Sequence, residues 1–583
     1  MDAQSPVDPV VNEKEPQEAE SASTSGSGHT KLAEEVSPKG STDKEVESGA
    51  AGEKAEPTKA TAVEGSERWL TGSRLLIVHS AMLLSILLVA IDQSIVATAL
   101  PHIISQFNAL SNISWVASAY FLTQAGFILF YGGVLSIFPT KWVFMFAVTL
   151  FELGSLICGV APNMNVLIFG RALAGVGAAG IFGSCIATIA EICPLEMRPA
   201  LMGSFGGVFA LASVMGPLLG GVFTDHVSWR WCFYINLPIG GISVAVIAVA
   251  IKARYTALND PANHAGTPLK RFIHLDWVGT LVCLGLVCSL LLPLQWGGNT
   301  KPWSDKSVIA LFCVFGVVLV AFLIWEYRMG MDGLLPLALF RNRSQIGCCL
   351  SAFWIALIML SAIYYLPLLY QAKGHSATKS GIDILPFMMM CVGGAVISGG
   401  VITWQGRYWW WLVLSPLLAT IGAGLMFTVD ANTSNAKLIG YQVILGFGVG
   451  GAMQNSFLAI QAEYNHDESL IPRTSSLVTF TQLVGGVIGI AIAGTIFANS
   501  LETQLHHYAP NLDPATAAEV RQSVTIIFTL PPDVQGPVIA AYSKAIAYVF
   551  TMAIPSGIMS SLCALMVRDH DIRNMKLTGG GAA

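Results

Sequence analysis

Fourteen stretches of this 583-residue chain are apolar enough, and long enough, to cross a lipid bilayer, and nothing else in the sequence constrains the fold so strongly. A helix needs about 20 mostly apolar residues to span the hydrocarbon core. Runs of that kind lie near 75–97, 113–138, 143–160, 166–190, 200–223, 233–252 and 276–296. Seven more lie near 307–326, 346–371, 382–404, 410–429, 437–462, 474–499 and 544–567. The expected fold class is an all-α polytopic membrane protein.

Composition closes the alternative of a soluble multi-domain protein. Only 11% of residues are charged and 54% are hydrophobic, whereas a soluble domain carries about 25% charged residues to wet its surface. Residues 1–67 alone hold 15 of the 36 acidic and 6 of the 31 basic side chains. The net charge of −5 therefore belongs to that tail, and the remainder is mildly basic. Rich in Glu, Ser, Lys, Pro and Ala, residues 1–70 have little to bury and are expected to be a disordered cytosolic tail. No nucleic-acid partner is implied.

Orientation follows from Lys and Arg, which are enriched in cytosolic loops of membrane proteins. With both termini inside, cytosolic segments hold 22 of the 31 basic residues and outside segments hold 8, while Arg171 falls within a span. Aromatic clusters mark the headgroup level, and Tyr408-Trp409-Trp410-Trp411 is such a cluster at the start of the eleventh run. Sequons at Asn112 and Asn432 fall in expected outside loops and are candidate glycosylation sites. A third, at Asn342, falls inside and is expected to stay bare.

Most connections are short, which makes successive helices antiparallel neighbours. A longer polar break follows the sixth span. It suggests a six-helix bundle at 71–255, a linker with two extra spans at 256–340 and a second six-helix bundle at 341–567. Repeated bundles facing a central site are a common plan for carriers. The second bundle carries an outside loop at 500–543, where Asp513-Pro514 reads as a helix cap and first position. Residues 568–583 form a short cytosolic tail.

Several motifs point nowhere. Gly175 to Gly180 and Gly446 to Gly451 both match GxGxxG, but a dinucleotide site requires a preceding strand. Both lie inside apolar runs, where glycine lets helix backbones approach closely. The 11 cysteines show neither CxxC pairs nor zinc spacing and read as small packing residues. No catalytic constellation, metal site or cofactor motif is present, so an enzyme is not expected.

Three ionisable residues sit well inside spans: Asp92, Glu152 and Arg171. Each costs about 2.5–3.5 kcal/mol on insertion scales if it faces lipid, so each is expected to face a partner or a cavity. Asp92 lies about five residues below the outer end of the first span and Arg171 about five below that of the fourth. At 1.5 Å per residue both are roughly 8 Å under the outer interface. Opposite charges at one depth can form a static tie between helices, or a pair that proton uptake by Asp92 would release. Glu152, near mid-membrane, is either a carboxyl kept neutral by burial or a second proton or cation site. Gly216-Pro217-Leu218-Leu219-Gly220-Gly221 in the fifth span reads as a hinge or close helix contact. Gln454, Asn455 and Gln482 are neutral polar groups able to line a substrate cavity or to bond neighbouring helices.

These residues resemble a family. Leu88 to Pro101, around Asp92, is similar to the first-helix acid motif of the fourteen-helix drug:proton antiporter branch of the major facilitator superfamily, in its fungal members. Gly170-Arg171-Ala-Leu-Ala-Gly175-Val-Gly177 resembles its fourth-helix arginine motif. Gly203, Gly216, Pro217, Gly220 and Gly221 resemble the antiporter motif of the fifth helix, with Ala212 in place of one glycine. Trp229 to Pro238 and Tyr364 to Gln371 are also typical, and the likeness runs from about residue 75 to 567. One departure stands out: Ile137 and Phe138 occupy loop positions where the superfamily has Asp and Arg, which leaves Lys141 to engage another helix.

The resemblance implies a major facilitator fold of two six-helix bundles with two extra helices between them. It also implies a proton-coupled exporter of a hydrophobic secondary metabolite, mycotoxin or drug, working as a monomer in the plasma membrane, with Asp92 and Arg171 in proton coupling. A vacuolar location, an importer of siderophores or basic amino acids on the same fold, and a non-transporting receptor are the competing expectations.

Overall fold

The computed structural model describes residues 69–107, 113–251, 268–273, 275–297, 301–522 and 524–573. Every long element is a helix: α1 Gly72–Phe107, α2 Ile113–Ile137, α3 Thr140–Val160, α4 Met164–Ile192 and α5 Arg198–His226. After the short helix Trp231–Tyr234 come α6 Asn236–Ala250, α7 Trp277–Trp296, α8 Lys306–Met329, α9 Arg343–Ala372, α10 Leu385–Gln405 and α11 Trp409–Phe427. α12 is Asn435–Met453, continued by Asn455–Glu463, and α13 is Ile471–Tyr508. α14 is Pro532–Val549, continued by Ala553–Ala564. Among the described residues, 13 helical segments are long and apolar enough to cross a membrane. The fourteenth expected run, 200–223, lies on the unbroken helix α5.

Local signals explain many of the helix ends. Asn163, Asp276, Asp305 and Asn342 cap α4, α7, α8 and α9, each side chain accepting from a backbone N–H of the first turn. Such caps satisfy donors that the helix itself leaves unpaired. Gly406 closes α10 at φ +85°, a left-handed conformation that glycine adopts without strain. Asp513 caps the short helix Pro514–Gln522, accepting from Ala515 N and Thr516 N. The segment 500–543 is thus largely helical, because α13 runs on to Tyr508 and α14 begins at Pro532.

In the first half α1 packs on α5 and α6, and α4 on α2 and α3. In the second half α9 packs on α13 and α14, and α12 on α10 and α11. α7 and α8 form a pair that leans on α2 through α7. The halves meet along α5–α10 and α2–α13.

Glycines set these approaches. A Cβ at Gly177 would lie 2.4 Å from Phe151 N on α3, and one at Gly450 would lie 1.8 Å from Cys391 O on α10. Both GxGxxG matches are therefore helix-packing surfaces, as expected where lipid is as apolar as the partner helix.

Within the aromatic cluster Tyr408 faces protein. It is buried and its hydroxyl donates to Arg568 O, whereas Trp410 is exposed. The start of the C-terminal segment is pinned there as well, since Arg568 and His570 both contact the Glu463 carboxylate and Ile572 N donates to Gly406 O. Residues 1–68, most of the 253–275 connection and Asn112 lie outside the described residues.

Candidate functional site: a buried charge network in the first half

α1 and α4 bring Asp92 and Arg171 into direct contact, Arg171 Nη1 to Asp92 Oδ2 at 2.5 Å, with both side chains almost wholly buried at 0% and 2% exposure. The guanidinium makes two further contacts, both with α2. Its Nε donates to Val116 O at 3.1 Å, and its carbon lies 4.4 Å from the centre of the Tyr120 ring. A planar cation with several fixed donors suits such a crowded site.

Asn236, at the first turn of α6, completes the network. Its Nδ2 donates to Ser155 Oγ on α3 at 3.1 Å and lies 3.4 Å from the free carboxylate oxygen of Asp92. Five helices thus converge on one ion pair. Neither Asn236, Ser155 nor Tyr120 stands out in the sequence. Asn236 falls in the Trp229 to Pro238 motif, but only packing shows what it holds. Close by, Gln93 Nε2 is 3.4 Å from Gln124 Oε1.

The fifth-helix motif supports the same place. A Cβ at Gly216 would lie 1.9 Å from Ser94 Oγ, two residues beyond Asp92, so α5 packs closely on α1 near the level of the carboxylate but on a different face of that helix. Ser94 Oγ also donates to Ala212 O. α5 continues unbroken through Pro217. The motif glycines have different surroundings: Gly203 faces α10, with a Cβ 3.0 Å from Ala395 O, whereas a Cβ at Gly221 would meet nothing within 4 Å.

The second-half polar candidates do not share this site. Asn455 Nδ2 donates to Gly451 O of its own helix, Gln454 marks the one-residue interruption of α12, and Gln482 is buried on α13. Asn342 is committed to the protein, its Oδ1 capping α9 and its Nδ2 donating to Glu463 Oε1, while Asn432 is exposed in a turn.

The two halves are joined tightly at the end of the bundle where α1 starts, here called the lower end. Cβ atoms at Gly399 and Gly132 would lie 2.6 Å from Pro199 O and 2.7 Å from Ser476 Oγ across the interface. Arg198 Nη1 lies 3.4 Å from Gln461 Oε1, Thr403 Oγ1 donates to Glu196 O at 3.1 Å, and the rings of Phe182 and Phe457 meet edge-on. Lys141 stays within the first half, donating to Ala248 O of α6 at 2.6 Å.

A buried acid–guanidinium pair strung between membrane-length helices, in a chain of two packed halves, is an arrangement suited to a membrane carrier. The chain belongs to the Major Facilitator Superfamily, whose family model matches residues 82–490. It is 38% identical over 514 residues to the MFS-type efflux pump MFS1 of Arthroderma benhamiae, covering 88% of this chain and 95% of that protein. It is likewise 38% identical over 511 residues to the efflux pump aflT of Aspergillus parasiticus, covering 86% of this chain and 97% of that pump. Among solved structures, the proton:xylose symporter XylE shares the fold at a TM-score of 0.54 and 12% identity, over 85% of this chain and 95% of that one.

Proposed function

We propose that this protein exports a hydrophobic small molecule, such as a secondary metabolite, mycotoxin or drug, in exchange for protons. The observation that carries the reading is the Asp92–Arg171 pair, buried between α1 and α4 and tied to α6 through Asn236. Protonation of Asp92 removes the charge that holds Arg171, and the released guanidinium favours a second arrangement of the helices. Efflux pumps among the relatives support export over import.

In this reading the lower end is cytosolic and both termini are inside. A monomer in the plasma membrane suffices. One proton entering across 100 mV supplies about 2.3 kcal/mol before any pH gradient, so no nucleotide is required. Gln454, Asn455 and Gln482 remain candidates for the substrate surface of the second half.

The test compares the metabolites retained by cells with and without the gene, with the proton gradient intact and then collapsed. Retention in the deletion strain, cured by the wild type only while the gradient is intact and not by a membrane-delivered Asp92→Asn protein, is expected. Full rescue by Asp92→Asn with unchanged pH dependence would overturn the reading.

A further inference from the structure

Glu152 lies beside the ion pair without belonging to it. Both of its carboxylate oxygens are buried with no hydrogen-bond partner in the protein. One of them faces α6 so closely that a Cβ at Gly240 would lie 1.8 Å away. Ser155 is three residues from Glu152 on α3, and Gly240 is four from Asn236 on α6. These spacings put each pair on one helix face. The Glu152/Ser155 face of α3 therefore meets the Asn236/Gly240 face of α6, and Asn236 bonds Ser155 while lying against Asp92.

One further buried atom beside the ion pair lacks a hydrogen-bond partner: Asn236 Oδ1 on α6. The ionisable group that acts on Glu152 from a neighbouring helix is Asp92 of α1, and beyond it Arg171 of α4, Tyr120 of α2 and Cys158 of α3 are gathered around the ion pair. Arg171 is the one cation in that set, and it is spent on Asp92. Among the described residues no ion pair includes Glu152. An ionised carboxylate buried without a partner costs several kcal/mol, so Glu152 holds a proton while Asp92 does not.

We propose that Glu152 is the second proton station of the carrier, about 4.5 Å along α3 nearer the lower end than Ser155, and that Asp92 and Glu152 share Arg171 as their counter-ion in turn. In the arrangement seen here Asp92 is ionised, Arg171 is paired and Glu152 carries the proton. When Asp92 takes a proton from the upper side, Arg171 is freed and stabilises ionised Glu152, whose proton leaves toward the lower side. One proton enters and one departs, and the trio stays neutral in both arrangements, as the membrane interior requires. Asn236 and Ser155 hold the two carboxyl-bearing faces in register. The proposal rests on proton-driven export but predicts a signature that needs no substrate.

That signature is the carbonyl stretch of a protonated carboxyl, read by infrared spectroscopy on the full chain in lipid nanodiscs at neutral pH. The wild-type minus Glu152→Gln difference is expected to contain a band worth one carboxyl, and Glu152→Asp is expected to keep a shifted band. Asp92→Asn, which mimics protonated Asp92, is expected to abolish the same band by releasing Arg171 to Glu152. Absence of the band from the wild type, or its persistence in Asp92→Asn, overturns the shared counter-ion. Because no substrate enters this measurement, its outcome is independent of whether the cells export anything, so the two readings fail separately.

Discussion

Arg473, at the start of α13, reaches across the two halves and lies 3.3 Å from Ser136 Oγ at the end of α2. Its guanidinium also donates to Met331 O, just after α8, so one side chain joins the first half, the second half and the extra helices. The charge that the α2–α3 loop lacks, where Ile137 and Phe138 stand, is thus supplied from the opposite side of the interface.

If Arg473 helps to hold the lower end shut, Arg473→Gln shifts the balance between the two arrangements. A hydrogen bond to a charged group contributes about 1.5–3 kcal/mol when buried, and partial exposure reduces this to roughly 1–2 kcal/mol, a factor of about 5–30 in population. Distances between spin labels on the lower ends of α2 and α13 are expected to lengthen in the variant. An unchanged distribution would remove Arg473 from the latch.

Removing both acids should be worse than the sum of removing each. Asp92→Asn leaves Glu152 to neutralise Arg171, and Glu152→Gln leaves the Asp92 pair intact. The double variant strands a guanidinium that cannot deprotonate, and an uncompensated buried charge costs about 3–5 kcal/mol. Thermal melts of the three purified variants are expected to show a clear non-additive loss; simple additivity would mean that the acids do not share the cation.

Gly216 and Gly221 belong to one motif, yet their substitutions should differ in sign. Gly216→Ala forces a Cβ to within 1.9 Å of Ser94 Oγ, and overpacking of this kind costs about 1–3 kcal/mol. Gly221→Ala meets nothing within 4 Å and gains up to about 1 kcal/mol of helix propensity. Opposite shifts in melting temperature are expected. Equal destabilisation would show that the motif acts as a unit.

Topology is checked by the sequons. Exposed Asn432 is expected to carry a glycan if its turn faces outside, giving an endoglycosidase-sensitive mobility shift that Asn432→Gln removes. Asn342→Gln should leave that shift untouched, since Asn342 is bonded to Ser344 and Glu463. A glycan at Asn342 would invert the assigned orientation.

The many membrane-length helices and the shared level of Asp92 and Arg171 were legible in the sequence, because bilayer thickness fixes run length and helix rise converts position into depth. The expected count of fourteen stands against 13 such segments among the described residues. Caps such as Asn163 and Asp276 were equally local. What only the tertiary structure decided is which way each side chain points. These helices are apolar on nearly every face, and lipid and a neighbouring helix look alike to such a surface, so no stripe marks the inward side. Close approaches at glycine chose the facing: Gly216 set α5 against Ser94 of α1, and Gly240 set α6 against Glu152. Asn236, Ser155 and Arg473 acquired their partners only once those approaches were made.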